Sequence, residues 1–201
     1  MGMTIIVPGL PSLTWSNGTG SAQLTSDGTL LVSAAPGSDW TNDALGGPQQ
    51  HAATLLGFTP TEAFSLSAQV RVEGARTTFD AAVLAVWGDQ DHWAKLCFEF
   101  SPQGQAMVVS VVTNDFSDDC NSVIVPNGQV FLRVARTGPG WAFHSSRDGI
   151  AWDFVRVFRL AFAGRVSVGF MAQAPMGQTC VAEFDRIEYR SALPIDLRNG
   201  T

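Results

Sequence analysis

The stretch from Asp89 to Phe100 carries the densest chemistry in the chain. Trp93, Lys95 and Glu99 alternate with Ala94, Leu96, Phe98 and Phe100, so an extended backbone puts the first set on one face and the apolar set on the other. An indole, an ammonium and a carboxylate on one open face make a platform for a sugar. The ring covers a pyranose C–H face while the charged groups bond hydroxyls. Lys95 and Glu99 lie ~13 Å apart at ~3.3 Å per residue, too far to pair directly. Each needs a partner on an adjacent strand or a ligand; the alternative is a face carrying buried cross-strand ion pairs. Arg136 is the expected fork-like partner of Glu99. His92, entering the strand beside Trp93, is a candidate ligand contact.

A second polar cluster runs Asn114-Asp115-Phe116-Ser117-Asp118-Asp119-Cys120-Asn121. Following a buried strand, it reads as a loop capping one end of the fold. Its small polar side chains could there read a polyol, with Asp118 anchoring hydroxyls. Calcium is a lesser alternative, since carboxylates and carbonyls are its ligands, but the spacing matches no EF-hand loop. A self-capping Asx-rich turn is the plainest reading. His51 and His144 suggest no metal site, and the three cysteines, Cys97, Cys120 and Cys180, have neither disulfide nor zinc spacing. Ser146-Arg147-Asp148-Gly149-x-x-Trp152 reads as a folding turn.

Period-2 patterning supplies the elements that must hold these groups. Phe64 to Glu73 alternates without a violation, a half-buried strand. Ala81 to Trp87 and Ala106 to Thr113 are apolar on both sides and valine-rich, as strands covered on both faces are. Val130 to Arg136, Trp141 to Ser145, Phe154 to Leu160 and Arg165 to Gln173 continue the series. Val181 to Arg190 changes phase near Asp185-Arg186, which predicts a bulge. Asp27-Gly28, Asn127-Gly128, Asp148-Gly149 and Gly138-Pro139-Gly140 supply turns. No stretch holds an apolar period of 3.6, so the chain is all-β, a sandwich of two antiparallel sheets.

On these residues a resemblance rests. Trp93-x-Lys95-x-x-x-Glu99 is followed by Val111-Val112-Thr113-x-x-x-Ser117-Asp118, then Leu132-x-x-x-Arg136. Ser146-x-Asp148-Gly149-x-x-Trp152-x-x-x-Arg156 and Val168-Gly169-x-Met171 complete the set, and Asp39-Trp40 fits upstream. In order and spacing it resembles a domain-of-unknown-function family of the regulation-of-enolase type. That resemblance covers roughly residues 13–190 and implies a concanavalin A-like lectin/glucanase jelly roll with a concave binding face. It implies no activity. The chain departs from the family at Asp119, where a tryptophan is expected.

Composition narrows the partners. Only 15% of the 201 residues are charged, against ~25% in an average domain. Lys95 is the sole lysine and the net charge is −6, so clustered positive charge for nucleic acid or a membrane surface is missing. Glycosidases of this fold place two or three carboxylates on one strand, but Lys95 and Cys97 stand at the positions preceding Glu99. An enzyme, if any, is glycosidase-like with Glu99 and Asp118 as weak catalytic candidates.

The resulting expectation is one domain over 1–201 with a loosely packed tail at 191–201, cytoplasmic, without cofactor or metal. It binds a carbohydrate or small polyol without catalysis. Trp40 and Trp93 stack on the ligand, and His92, Lys95, Glu99, Thr113, Asn114, Asp118 and Arg136 bond it. The alternatives are a hydrolase, or a regulatory or structural partner of a metabolic enzyme, with a protein partner or a second copy of itself.

Overall fold

A computed structural model of the chain describes residues 5–192, 196–198 and 200. Among them there are sixteen strands and no helix. The first sheet has the order β1 (Thr14–Ser16), β6 (Leu55–Phe58), β15 (Ser167–Gln173), β8 (Ala81–Trp87), β9 (His92–Phe100), β10 (Ala106–Asn114) and β11 (Phe116–Ile124). The second has β14 (Asp153–Phe158), β13 (Gly140–Ser146), β12 (Gln129–Thr137), β7 (Phe64–Val72), β16 (Cys180–Arg190), β3 (Leu30–Ala34) and β2 (Ser21–Leu24). Every pairing is antiparallel, and a short hairpin of β4 (Trp40–Asn42) and β5 (Gln49–His51) stands apart from both sheets. This is a jelly-roll sandwich.

The alternation in the sequence becomes the packing. Leu66, Ala68 and Val70 of β7, Leu84 of β8 and Leu96 and Phe98 of β9 share one core between the two sheets, and all are fully buried. Burying each large side chain is worth about 1.5–3 kcal/mol. The phase change in β16 is a register shift between Asp185 and Glu188, with Arg186 at φ +47°. The strands that are apolar on both faces are explained by a second, smaller core. Val83, Ala85, Cys97, Val109 and Met171 lie on the outer face of the first sheet, with Trp40 and Ala53 packed over them.

Two expectations change. The polar segment after Thr113 is not a loop: Phe116–Ile124 forms edge strand β11, entered through a tight turn at Asp115 (φ +66°). Its side chains therefore point alternately to opposite faces and do not converge on one ion. Nor do the described parts of the tail hang loose. His144, fully buried, donates from Nε2 to Leu197 O (2.7 Å), and Arg133 donates to Gly200 O (2.6 Å). The Arg198 guanidinium lies 4.5 Å from the Phe154 ring centroid. The remaining tail residues lie outside the described ones.

Candidate functional site

Register lays out the outer face of the first sheet in rows. Gln173, Ala81, Glu99 and Met107 form one row. Met171, Val83, Cys97, Val109 and Asn121 form the next. Gly169, Ala85, Lys95, Val111 and Asp119 form the third, and Ser167, Trp87, Trp93, Thr113 and Ser117 the fourth. Lys95 is thus flanked by small apolar residues, and Glu99 by Ala81 and Met107.

The β4–β5 hairpin covers the fourth row. Trp40 packs 4.6 Å from Trp87 and 5.7 Å from Trp93, and His51 meets both sheet tryptophans edge-on. Asn42 staples the hairpin down by donating from Nδ2 to Asp115 O (2.9 Å) and Gln90 O (3.0 Å), while Ser117 Oγ accepts from Asn42 N. Trp40 and Trp93 are fully buried. Neither offers a ring face to a ligand, so the stacking role expected of them is corrected.

Beside the hairpin a cavity of about 290 Å³ remains open over Lys95 and Glu99. Lys95 is 4% exposed and spends all three N–H bonds: on Asp39 Oδ1 (2.6 Å), Trp40 O (2.8 Å) and Gln173 Oε1 (3.0 Å). Burial works against its charge, but the Asp39 carboxylate, together with Cys97 and Glu99 nearby, holds the ammonium above its ordinary pKa. Asp39 is fixed in turn by accepting from its neighbour Trp40 N (2.7 Å). Gln173 is oriented by this pairing. With Oε1 on the lysine, its Nε2 donates to Phe79 O (3.0 Å) and, more weakly, to Glu99 Oε2 (3.4 Å).

Glu99 has no cation in contact, and burial raises its pKa to about 7. Asp119, exposed on the edge strand, is raised too, by partial desolvation of its carboxyl, and that carboxyl accepts no side-chain hydrogen bond among the described residues. Phe79 sits at the rim, 37% exposed, with φ +68°. That backbone conformation is an uncommon strain for an aromatic residue, and such strain gathers at binding sites. Thr41 and Asn121 complete the polar lining.

Of the residues expected from sequence, the cavity brings together Trp40, Lys95 and Glu99; the others lie elsewhere. His92 bonds Asp89 (2.8 Å) at the end of β9 and packs against Phe162. Thr113 is fully buried and bonded to Ser117 Oγ. Asn114 clasps the segment after β14, accepting from Ala161 N and donating to Arg159 O. Arg136 lies on the second sheet between β13 and β7, donates to Gly138 O and does not meet Glu99. Asp118 points to the opposite face from Asp119 and pairs with Arg156 of β14 (2.8 Å). That pair is largely exposed on the acid side, so Asp118→Asn is expected to cost less than about 1 kcal/mol in a urea melt.

Sequence reasoning missed the side chains of Asp39, Phe79, Asp119 and Gln173. Among the described residues no group of three or more His, Cys, Asp or Glu side chains could hold a metal. Among the described residues no helix is long and apolar enough to cross a membrane.

Two antiparallel sheets, the first with a covered outer face, define a jelly-roll β-sandwich. The chain matches over residues 15–192 the family described as "Protein of unknown function (DUF1349)", and it belongs to that family. A functionally unknown protein from Saccharomyces cerevisiae superposes with a TM-score of 0.80 at 25% identity, over 90% of this chain and 97% of that one. The GH43 BlXynB protein from Bacillus licheniformis superposes at 0.65 and 15% identity, over 85% of this chain. This chain spans 34% of that enzyme. The alginate lyase from Klebsiella pneumoniae gives 0.52 at 11% identity, over 84% of this chain and 83% of that one. The last two likenesses concern the fold alone. No curated protein sequence matches the chain.

Proposed function

We propose that the protein binds a carbohydrate or similar polyhydroxylated metabolite, without turnover, in the cavity over Lys95 and Glu99. The observation that carries this reading is the pairing of an exposed aromatic rim, Phe79, with a floor of fixed polar groups in one small cavity. A volume of about 290 Å³ is at the small end of ligand sites and suits one sugar ring. Phe79 takes the stacking role, and Glu99, Asp119, Thr41 and Asn121 meet hydroxyls. Binding is favoured over hydrolysis because Asp39 is committed to Lys95 and Asp119 stands two strands and four residues from Glu99, whereas retention needs two carboxyl groups about 5–5.5 Å apart. A cavity that reads a small polyol is also what a metabolite-responsive regulator would need, which is where the regulation-of-enolase resemblance enters.

Isothermal calorimetry with neutral hexoses and pentoses tests the reading. Binding at micromolar to millimolar strength is expected, weakened about tenfold or more in Phe79→Gly. The same variant should stay within about 1 kcal/mol of the parent in stability, because relief of the left-handed backbone offsets the lost ring contacts. No heat from any sugar would overturn the proposal, as would tight binding that Phe79→Gly leaves intact.

A further inference from the structure

The cavity's hydrogen-bonding inventory is one-sided. Its floor holds one cation, Lys95, and all three of that ammonium's protons are already bonded within the protein. The nearby Arg76 is no substitute: its Nη2 is spent on Asp80 O and Phe98 O (2.7 Å each), and its guanidinium stacks on the Phe98 ring. It does not line the cavity. Free donors are thus confined to the Thr41 hydroxyl and the Asn121 amide, while Asp39, Glu99 and Asp119 present carboxylate oxygens.

From this we infer that the cavity admits uncharged or amine-bearing polyols and rejects anionic ones, such as uronates and sugar phosphates. The inference rests on the binding reading above and adds the charge class of the ligand. Ligand hydroxyls and ammonium groups donate, which is what three carboxylates and no free cation require. An anionic ligand would add a negative group beside Glu99 and Asp119, while the one cation, Lys95, is paired with Asp39 and has no proton left to give. Like-charge juxtaposition of this kind is how a site selects against a near-isostere. Along the sheet, Asp119 and Glu99 are two strands and four residues apart, so they bracket a ring from two sides and do not share one hydroxyl.

The test is a matched calorimetric series at pH 8 and low salt: glucose, galactose and mannose, each with its 2-amino and its uronate derivative, together with glucose 6-phosphate. Neutral or amine-bearing members are expected to bind, the anionic partner of the tightest binder about tenfold or more weaker. Asp119→Asn and Glu99→Gln are each expected to narrow that gap. An anion that binds as tightly as its neutral parent overturns the charge inference and leaves the binding reading standing. A gap that neither variant changes overturns the inference in the same way. Silence from the whole series overturns both.

Discussion

Lys95→Met is expected to lower the unfolding free energy by about 3–5 kcal/mol, the usual cost of removing one member of a buried ion pair. For a chain of this length that corresponds to a fall of roughly 6–20 °C in melting temperature. The physical reason is what the lysine leaves behind. Asp39 Oδ1, Trp40 O and Gln173 Oε1 all lose their donor in a region that is nearly closed to water. Methionine fills the same length with no proton to give, so the loss is electrostatic rather than a cavity effect. Asp39→Asn added to Lys95→Met is expected to recover part of the loss, because a neutral amide no longer needs the ammonium. Since the folded lysine titrates above its ordinary value, its contribution is complete below about pH 10.5 and is lost only as pH rises through the folded pKa. Urea melts at pH 7 measure the effect. A loss under about 1 kcal/mol would mean that the lysine is wetter and less committed than its three bonds imply.

Glu99→Gln should act in the opposite direction, stabilising the protein by about 1–3 kcal/mol at pH 8 while changing little at pH 4.5. Burial raises the folded pKa to about 7 from an ordinary 4.5. The folded state therefore holds this proton more tightly than the unfolded chain. The protonated acid favours folding fully below about 4.5, and that advantage drains away as pH rises through 7. Above that, a carboxylate with only one weak partner, Gln173 Nε2, sits in a poorly hydrated place. Glutamine stays neutral throughout and can still accept that bond. The magnitude is held below full conversion of the shift because the cavity mouth admits water. The difference between wild-type and variant stability, followed from pH 4 to 9, should rise between 5 and 8. Parallel curves would contradict the burial argument.

The alternation around β9 made part of this legible beforehand. Lys95 and Glu99 share a face because every second residue must, and the apolar set Leu96–Phe98 says which face is the core. What alternation cannot reveal is whether the other face is open. The covering hairpin consists of two three-residue strands, Trp40-Thr41-Asn42 and Gln49-Gln50-His51, too short and polar to show a period. Its tryptophan thus read as a ligand platform when it is the lid of a second core.

β11 failed for a related reason. As an edge strand with most side chains in solvent, it has no apolar face to alternate, and it read as a loop. That one misreading exchanged Asp118 for Asp119, since neighbouring residues on a strand face opposite ways. Asp119 is also where the family resemblance led to an expectation of tryptophan. Gln173 could have been placed: it continues the phase of Met171 on a strand whose limits were already clear. Phe79 carried no signal, because a left-handed aromatic outside any strand follows from tertiary contacts. Arg136 was assigned to Glu99 on charge scarcity alone, with strand order unknown, and strand order is where the sandwich differs.

A ligand held in the cavity over Lys95 and Glu99 must perturb the amides that line it, and chemical-shift mapping reads them residue by residue. In a ¹⁵N–¹H correlation titration with the tightest-binding neutral sugar, perturbations should concentrate at residues 39–41, 79–80, 95, 99, 119–121 and 173. Perturbations centred instead on the outer face of the second sheet, around Arg133, His144 and Trp152, would contradict it, as would a saturating sugar that shifts no residue lining the cavity.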